Sequence, residues 1–194
     1  MVACVLTAAG NSERFGRDKL LHPIDGRPMI EYALSLLEKV NLCHRVMVTQ
    51  SCRQEASKLA AAHGFAVVYN DSPELGMSHS VLLGMEAVLN SCDPDGVLFC
   101  VADQPYLKQA TVFKLLSAFE KEPGRIIRPR AGGRWGNPVI FPRETYPDLM
   151  RLEGDIGGSA VIRRRMELVK AFDISDEREL FDIDTEQEEK DVRS

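Results

Sequence analysis

Continuous apolar runs alternate with stretches of helical periodicity along the chain. Short apolar runs are typical of buried strands, and apolar residues three or four positions apart are typical of helices. The strands predicted in this way are residues 2–6, 45–49, 66–69, 96–101, 125–129, 139–141 and 168–171. The predicted helices are residues 29–40, 53–62, 78–90, 109–121, 143–152 and 159–165. This alternation predicts an α/β fold, a Rossmann-like three-layer α/β/α arrangement with a mostly parallel sheet.

The pattern indicates one domain. A chain of 194 residues is long enough for one substantial core and short for two, and no segment has the composition of a linker or a repeat. We expect a single domain over residues 1–189, with its irregular last third over the carboxyl edge of the sheet. Residues 190–194 are predicted to form a charged tail.

Charge and cysteine usage narrow the possible partners and location. The net charge of -5 argues against a general nucleic-acid binder, and no apolar run is long enough to cross a membrane. The N-terminal apolar stretch is short and follows no basic region, which argues against a signal peptide. The cysteines are scattered along the chain and odd in number, which indicates reduced thiols in a cytoplasmic protein. They are Cys4, Cys43, Cys52, Cys92 and Cys100.

The loop after the first strand has the composition of a polyphosphate-binding loop. Its small residues let backbone N–H groups approach phosphate oxygens, and Arg14 and Lys19 can neutralise the charge. It is neither a Walker A motif nor a dinucleotide fingerprint, and an ordinary glycine-containing βα loop remains the alternative. The small and polar residues that could contact a nucleotide are Ala8, Ala9, Gly10, Asn11 and Ser12.

Two aspartates are candidate metal ligands. Asp103 directly follows a buried strand, and Asp184 lies in a short extended segment near the C-terminus. Carboxylate oxygen is a preferred Mg²⁺ ligand beside substrate phosphates, so Asp103 is expected to hold the metal. The alternatives are a turn or helix-cap role for Asp103 and a cap at the helix starting near Thr185 for Asp184.

Three further loops carry polar candidates. The loop after the third strand, with Asn70, Gly76, Met77 and Ser78, suits a nucleotide base or ribose, whereas simple helix capping by Ser78 is the alternative. Arg134, in a glycine-rich stretch, could meet a second phosphate, although a hairpin also needs those glycines. Asp155 precedes a helix N-terminus, either beside an anion or as a plain cap.

Taken in series, these motifs resemble the MobA-like nucleotidyltransferase family. Its signature after the first strand matches residues 6–19 except at Thr7, and its D-Q-P marker appears as Asp103-Gln104-Pro105. Shorter family segments appear as residues 76–80, 136–141 and 182–185. The resemblance covers residues 2–189 and implies the nucleotide-diphospho-sugar transferase type of fold. It also implies catalytic roles for Arg14, Lys19 and Asp103, with Mg²⁺ on Asp103 and Asp184.

Within the family, two details resemble the molybdenum cofactor cytidylyltransferase branch. Guanylyltransferases usually carry Ala-Gly-Gly where this chain has Ala8-Ala9-Gly10, and D-M-P where it has D-Q-P. This resemblance implies transfer of a cytidylyl group from CTP to the phosphate of molybdopterin, with release of pyrophosphate. Arg134, Asn137 and Asp155 are the expected acceptor contacts. However, Asn137 replaces a frequent histidine, and the G-D-x-G-A-R pattern of the branch lacks its arginine here.

Other functions remain open on the sequence. One is a guanylyltransferase, or a cytidylyltransferase for another phosphorylated small molecule. Another is a non-catalytic nucleotide- or cofactor-binding chaperone that delivers cofactor to a molybdoenzyme. If the chain is a cytidylyltransferase for molybdopterin, a molybdoenzyme or its maturation factor is an expected partner. The sequence leaves the oligomeric state open.

Overall fold

The computed structural model describes residues 1–10 and 18–193. Strands are β1 (Val2–Thr7), β2 (Pro23–Ile24), β3 (Arg27–Pro28), β4 (Arg45–Thr49), β5 (Ala66–Tyr69), β6 (Gly96–Val101), β7 (Ile126–Ala131), β8 (Arg134–Trp135), β9 (Val139–Pro142) and β10 (Val169–Asp173). Helices are α1 (Met29–Glu38), α2 (Gln54–Ala62), α3 (Met77–Ser91), α4 (Gln109–Lys121), α5 (Tyr146–Met150), α6 (Gly158–Arg164) and α7 (Glu186–Arg193).

The main sheet is mostly parallel, as predicted. Among the described residues it has eight strands in the order β10-β7-β9-β6-β1-β4-β5, with β8 paired to β7. Strand β1 lies between β4 and β6 and is parallel to both, whereas β9 is antiparallel to β6 and β7. The carboxyl ends of β1, β4, β6 and β7 therefore meet at one edge, which we call the carboxyl edge.

Helices cover both faces of this sheet. Side chains of α1, α2 and α4 form one buried cluster with one face of the sheet, and those of α3, α5 and α6 form a second cluster with the other face. The strand interiors are almost fully buried, as in β1, where Ala3 to Leu6 are inaccessible. Two packed faces explain why these strands read as continuous apolar runs rather than as alternating ones. The predicted three-layer α/β/α fold is confirmed.

Some elements differ from the sequence-based prediction. The helix predicted for residues 143–152 is a 3₁₀ turn, Arg143–Thr145, followed by the short helix α5, which carries a proline in its first turn. The hairpin of β2 and β3 was not predicted. Its turn residues Asp25 and Gly26 both have positive φ, 50° and 79°, and Asp-Gly is a known hairpin signal.

The C-terminal segment crosses the carboxyl edge of the sheet. After β10 it forms a 3₁₀ turn, Glu177–Leu180, passes Asp184 and ends in α7. The predicted boundary between domain and tail, at residue 189, falls inside α7. In the part of the chain that the structure describes, no helix has the length and apolar character needed to span a bilayer.

Candidate nucleotide-binding site

A cavity of about 650 Å³ opens at the carboxyl edge, between the ends of β1 and β6. This volume lies within the range of small-molecule and cofactor sites. Its lining brings together residues that are far apart in sequence. They include Ala8, Ala9, Gly10, Lys19, Arg53, Asn70, Gly76, Met77, Ser80, Asp103, Asp155 and Asp184. Open parallel sheets bind ligands at this edge, so the cavity is the candidate nucleotide site.

Lys19 lies between the two candidate metal ligands. Its Nζ donates to Asp103 Oδ2 at 2.7 Å and to Asp184 Oδ1 at 2.8 Å. Burial by itself lowers the pKa of Lys19, but the charges and hydrogen bonds of Asp103 and Asp184 outweigh it, and the net effect raises the pKa above its usual value. Lys19 is therefore a permanent positive charge in the site.

Asp103 has one oxygen left over. Its Oδ1 is buried and accepts no hydrogen bond in the part of the chain that the structure describes, while Oδ2 is held by Lys19. A buried carboxylate oxygen without a partner is costly, and in native proteins such an oxygen usually binds water or an ion. The capping alternative is wrong for Asp103, because the next helix, α4, begins six residues later and has Lys108 at its N-cap.

The side chain of Asp184 does not cap α7 either, because other residues make the hydrogen bonds at the start of this helix. Thr185 Oγ1 accepts from the backbone N–H of Glu188, and Glu188 Oε2 accepts from the backbone N–H of Asp184. This reciprocal arrangement is close to a capping box and satisfies the start of α7. The carboxylate of Asp184 thus remains available to the cavity, where it meets Lys19.

A third carboxylate, Asp182, lies behind this pair. Desolvation of its carboxylate, followed by the negative charge of Asp103, raises the pKa of Asp182 to about 6, although the residue as a whole is exposed and a hydrogen bond from Gln104 opposes the shift. Gln104 Nε2 donates to Asp182 Oδ1 at 2.8 Å and to the carbonyl of Leu180 at 3.3 Å. The side chain of Gln104 is buried and does not appear among the described residues that line the cavity.

Arg53 organises the start of the phosphate loop, a role that the sequence analysis missed. Its guanidinium donates to the carbonyls of Ala8 and Gly10, each at 2.6 Å, and lies 3.9 Å from Asp18 Oδ1. It therefore contacts both chain ends that flank residues 11–17. The sequence did offer a signal for Arg53, because a basic residue just after the carboxyl end of β4 lies at the same sheet edge as the loop after β1.

The N-terminus of α3 forms the opposite wall. Gly76 precedes α3 with a φ of 77°, and a Cβ there would lie 2.5 Å from the backbone of Gly154. Asp155 Oδ1 accepts from the backbone N–H of Met77, the first residue of α3, at 3.3 Å. Asp155 therefore caps α3, on which its own loop is packed, rather than the helix that follows it, α6.

Asn70 lies at the cavity as predicted, but Ser78 does not, and Ser80 takes its place. Asn70 lines the cavity and donates through Nδ2 to Ser80 Oγ at 2.8 Å. Ser78 is buried, and its hydroxyl donates to the carbonyl of Leu75, so it makes no side-chain cap. Within the described chain, Ser80 rather than Ser78 reaches the cavity lining.

The remaining candidates lie elsewhere. Arg134 stacks over the ring of Phe181 at 4.5 Å, and Asn137 precedes a cis proline; neither is among the described residues that line the cavity. Arg14, Asn11 and Ser12 lie outside the described residues. The structure thus brings Lys19, Asp103 and Asp184 together at the cavity. Of the three expected acceptor contacts, Asp155 lies at the cavity, whereas Arg134 and Asn137 are not among its described lining residues.

Comparisons with known proteins agree with this geometry. Residues 4–170 match the model of the MobA-like NTP transferase domain. Nicotine blue oxidoreductase of Paenarthrobacter nicotinovorans is 32% identical over 195 residues, covering 95% of this chain and 92% of the relative. A probable molybdenum cofactor guanylyltransferase of Pyrococcus horikoshii is 36% identical over 142 residues, covering 73% of this chain and 66% of the relative.

Solved structures share the fold at low sequence identity. Rv0371c of Mycobacterium tuberculosis has a TM-score of 0.81 at 20% identity, covering 98% of this chain and 96% of that one. A nucleotidyl transferase of Methanothermobacter thermautotroptrophicus has a TM-score of 0.79 at 20% identity, covering 100% and 96%. By sequence match and fold together, this chain belongs to the MobA-like family of nucleotidyltransferases.

Proposed function

We propose that the protein transfers a cytidylyl group from CTP to the phosphate of a molybdopterin-type acceptor and releases pyrophosphate. The observation that carries this proposal is the arrangement of Lys19 between Asp103 and Asp184 at the carboxyl edge. Nucleotidyl transfer needs charge neutralisation and positioning of phosphates more than a protein nucleophile, and this set of charges supplies both.

The donor set fits a divalent metal. Asp103 Oδ1 has no partner in the described chain, and Asp184 offers a second carboxylate beside it. Two carboxylates together with substrate phosphates are a usual environment for Mg²⁺, so we propose Asp103 and Asp184 as its protein ligands. The metal would supply positive charge to the phosphates during transfer.

The chain's own groups then have distinct tasks. The Lys19 ammonium can turn from its carboxylate partners to the triphosphate, where it stabilises the charge that develops on the leaving pyrophosphate. Arg53 holds the carbonyls of Ala8 and Gly10, so that the phosphate loop starts in a fixed position. The loop 154–157, packed on Gly76, bounds one side of the cavity.

The choice of CTP rests on Ala9. Ala9 lines the cavity, and its methyl group takes up space that a glycine would leave for a larger base. The second marker, Gln104, supports the proposal less, because its side chain points to the C-terminal segment. GTP is therefore the main competing donor, in line with the name of the guanylyltransferase relative.

The decisive experiment measures pyrophosphate release with each nucleoside triphosphate, Mg²⁺ and molybdenum cofactor. We expect release with CTP, and a drop on the order of 100- to 1000-fold in Asp103→Asn, which keeps the shape of the side chain but not its charge. Asp93→Asn is the matched control, because Asp93 is exposed and pairs with Arg143 at the opposite edge. Near-normal turnover in Asp103→Asn would contradict the metal role.

The base preference is tested separately with Ala9→Gly. Removing the methyl group should shift the ratio of kcat/KM for CTP and GTP towards GTP by about 10-fold, the usual size of a steric effect of a single small group. Steady-state rates with both nucleotides at several concentrations check this. An unchanged ratio would remove Ala9 as the basis for choosing CTP.

A second candidate function arises from the oxidoreductase relative, which matches almost the whole chain. Redox assays with reduced nicotinamide nucleotides, run beside the pyrophosphate assay, separate the two. Nucleotide oxidation without pyrophosphate release would replace the main proposal. CTP binding without any turnover would instead favour the non-catalytic chaperone.

A further inference from the structure

Two cysteines far apart in sequence meet at the edge opposite the nucleotide site. Cys43 lies between α1 and β4, and Cys92 directly follows α3. The backbone N–H of Cys43 donates to the carbonyl of Val2, which fixes this loop to the start of β1. The two Sγ atoms are 3.1 Å apart and separated by 49 positions in the chain.

This contact is close for two free thiols. The separation is about 1 Å longer than a disulfide bond, so little movement is needed to join the two sulfurs. Cys43 is exposed and Cys92 is partly exposed, which leaves the pair accessible to solvent. In contrast, the other neighbouring thiols, Cys4 and Cys100, are both buried within the sheet.

We propose that Cys43 and Cys92 form a redox-active dithiol, a modification site that closes to a disulfide when a peroxide oxidises it. The site is independent of the nucleotidyl-transfer proposal, since it lies at the amino edge of the sheet and shares no residue with the nucleotide cavity.

A second cavity gives the oxidant a route. It has a volume of about 1010 Å³, and Cys43 is part of its lining. Carboxylates of Asp95, Glu120 and Glu144 also line it. A small uncharged oxidant such as hydrogen peroxide can enter beside these carboxylates without charge repulsion.

The environment assigns different roles to the two sulfurs. Burial, together with the neighbouring Cys43, raises the pKa of Cys92 to about 12. Because Cys43 is exposed and Cys92 only partly exposed, the Cys43 sulfur meets the peroxide first and attacks it as the thiolate. Cys92 then acts as the resolving thiol.

The chemistry balances with hydrogen peroxide as the two-electron oxidant. The Cys43 thiolate attacks one peroxide oxygen, the O–O bond breaks, and the departing hydroxide takes a proton to become water. The Cys92 sulfur next attacks the Cys43 sulfur of the sulfenic acid. The S–O bond breaks, and the oxygen leaves as water with the proton of Cys92. Two thiols and one peroxide thus give one disulfide and two waters.

The test treats the full-length protein with equimolar hydrogen peroxide and maps the product without reduction. We expect an intact mass lower by two hydrogens and a peptide of residues 40–45, cut by trypsin at Lys39 and Arg45, linked to the Cys92 peptide. Cleavage before Asp93 by endoproteinase Asp-N separates Cys92 from Cys100, so the partner is assigned without ambiguity. Dithiothreitol should reverse the change.

Matched variants decide between a specific pair and general oxidation. Cys43→Ser and Cys92→Ser should each abolish the mass loss, whereas Cys52→Ser, which removes another exposed thiol, should retain it. The oxidised wild-type protein should also unfold at a Tm several degrees higher, because a long loop is closed. Oxygen addition at Cys43 or Cys52 without the 43–92 link would overturn the proposal.

Discussion

Gln104 connects the carboxyl end of β6 to the C-terminal segment through one buried amide. Asp103, its neighbour, faces the cavity, while the Gln104 side chain points away and donates to the carbonyl of Leu180 and to Asp182. The backbone of Asp103 adds to this link, since its carbonyl accepts from Ile183 at 2.9 Å. The segment that carries Asp184 is therefore held in register with Asp103.

Gln104→Met separates this positioning role from base recognition. Methionine cannot donate, so the Leu180 carbonyl and the Asp182 carboxylate lose a buried partner, and we expect a loss of about 1–3 kcal/mol in the free energy of unfolding. Urea denaturation measures this loss. The CTP-to-GTP preference should stay unchanged, and a switch to GTP in this variant would show that Gln104 acts on the base.

At this scale, sequence reasoning proposed three charged residues that the structure brings together at the cavity, but not all of their supporting contacts. Asp103 was proposed because it follows a buried strand, Lys19 because it lies in a polar glycine-containing loop, and Asp184 because it lies in a short extended segment near the C-terminus. Arg53 and the Gln104 contacts were missed, because they bond to backbone carbonyls that come from distant parts of the chain. No local pattern reports such a partner.

Among the elements, the junction of α3 with the loop 154–157 determines the shape of one cavity wall. Gly76 touches the backbone of Gly154, the N–H of Ser78 donates to the carbonyl of Gly154, and Asp155 caps Met77. These contacts dock a loop near the C-terminal end of the chain on a helix from its middle. Asp155 is expected to shape the site through this contact.

Gly76→Ala tests the junction, with Gly64→Ala as a reference for positive φ. Gly64 has nearly the same φ, 76° against 77°, and a Cβ there meets nothing within 4 Å, whereas Gly76 combines the close contact with a ψ of -172°, a region that side chains rarely adopt. Gly64→Ala should therefore cost about 1–2 kcal/mol of backbone strain alone. Gly76→Ala should cost clearly more and weaken nucleotide binding, as measured by urea denaturation and nucleotide titration. Equal costs in the two variants would contradict the close contact.

Element prediction succeeded where packing is two-sided and regular. The limits of β4, β5, β6 and α4 match the prediction, because buried strands and a long amphipathic helix give strong periodic signals. The predicted helix over residues 143–152 was wrong in extent, because its first residues form a 3₁₀ turn and α5 begins only with the turn that carries Pro147. The hairpin alternative for the glycine-rich stretch is confirmed, because β7 pairs antiparallel with β8 around Gly132 and Gly133 and also with β9.

At the scale of the whole molecule, the C-terminal segment adds residues to the cavity that lie beyond the region matched by the family model. The match ends at residue 170, but Asp182 and Asp184 lie beyond it. Asp176 and Glu179 pair with Lys108, and Ile183 is fully buried beside Ile24 and Met29. The segment is thus part of the folded domain.

Ending the chain after residue 175 should separate folding from activity. All strands from β1 to β10 remain, so a cooperative thermal transition should persist at a lower Tm, whereas pyrophosphate release should fall to background without Asp184. Asp184→Asn in the full-length chain is the companion variant and should show a large loss with little change in Tm. Full turnover by the shortened chain would contradict a role for this segment.

The ion pair of Lys19 and Asp184 joins residues 165 positions apart. Lys19 is synthesised well before Asp184, so a chain that has not yet reached residue 184 lacks one carboxylate of the cavity. Domains of this size fold as units once their chain has emerged. A nascent chain that ends before residue 184 therefore carries Lys19 and Asp103 but cannot yet form the complete charge cluster of the cavity.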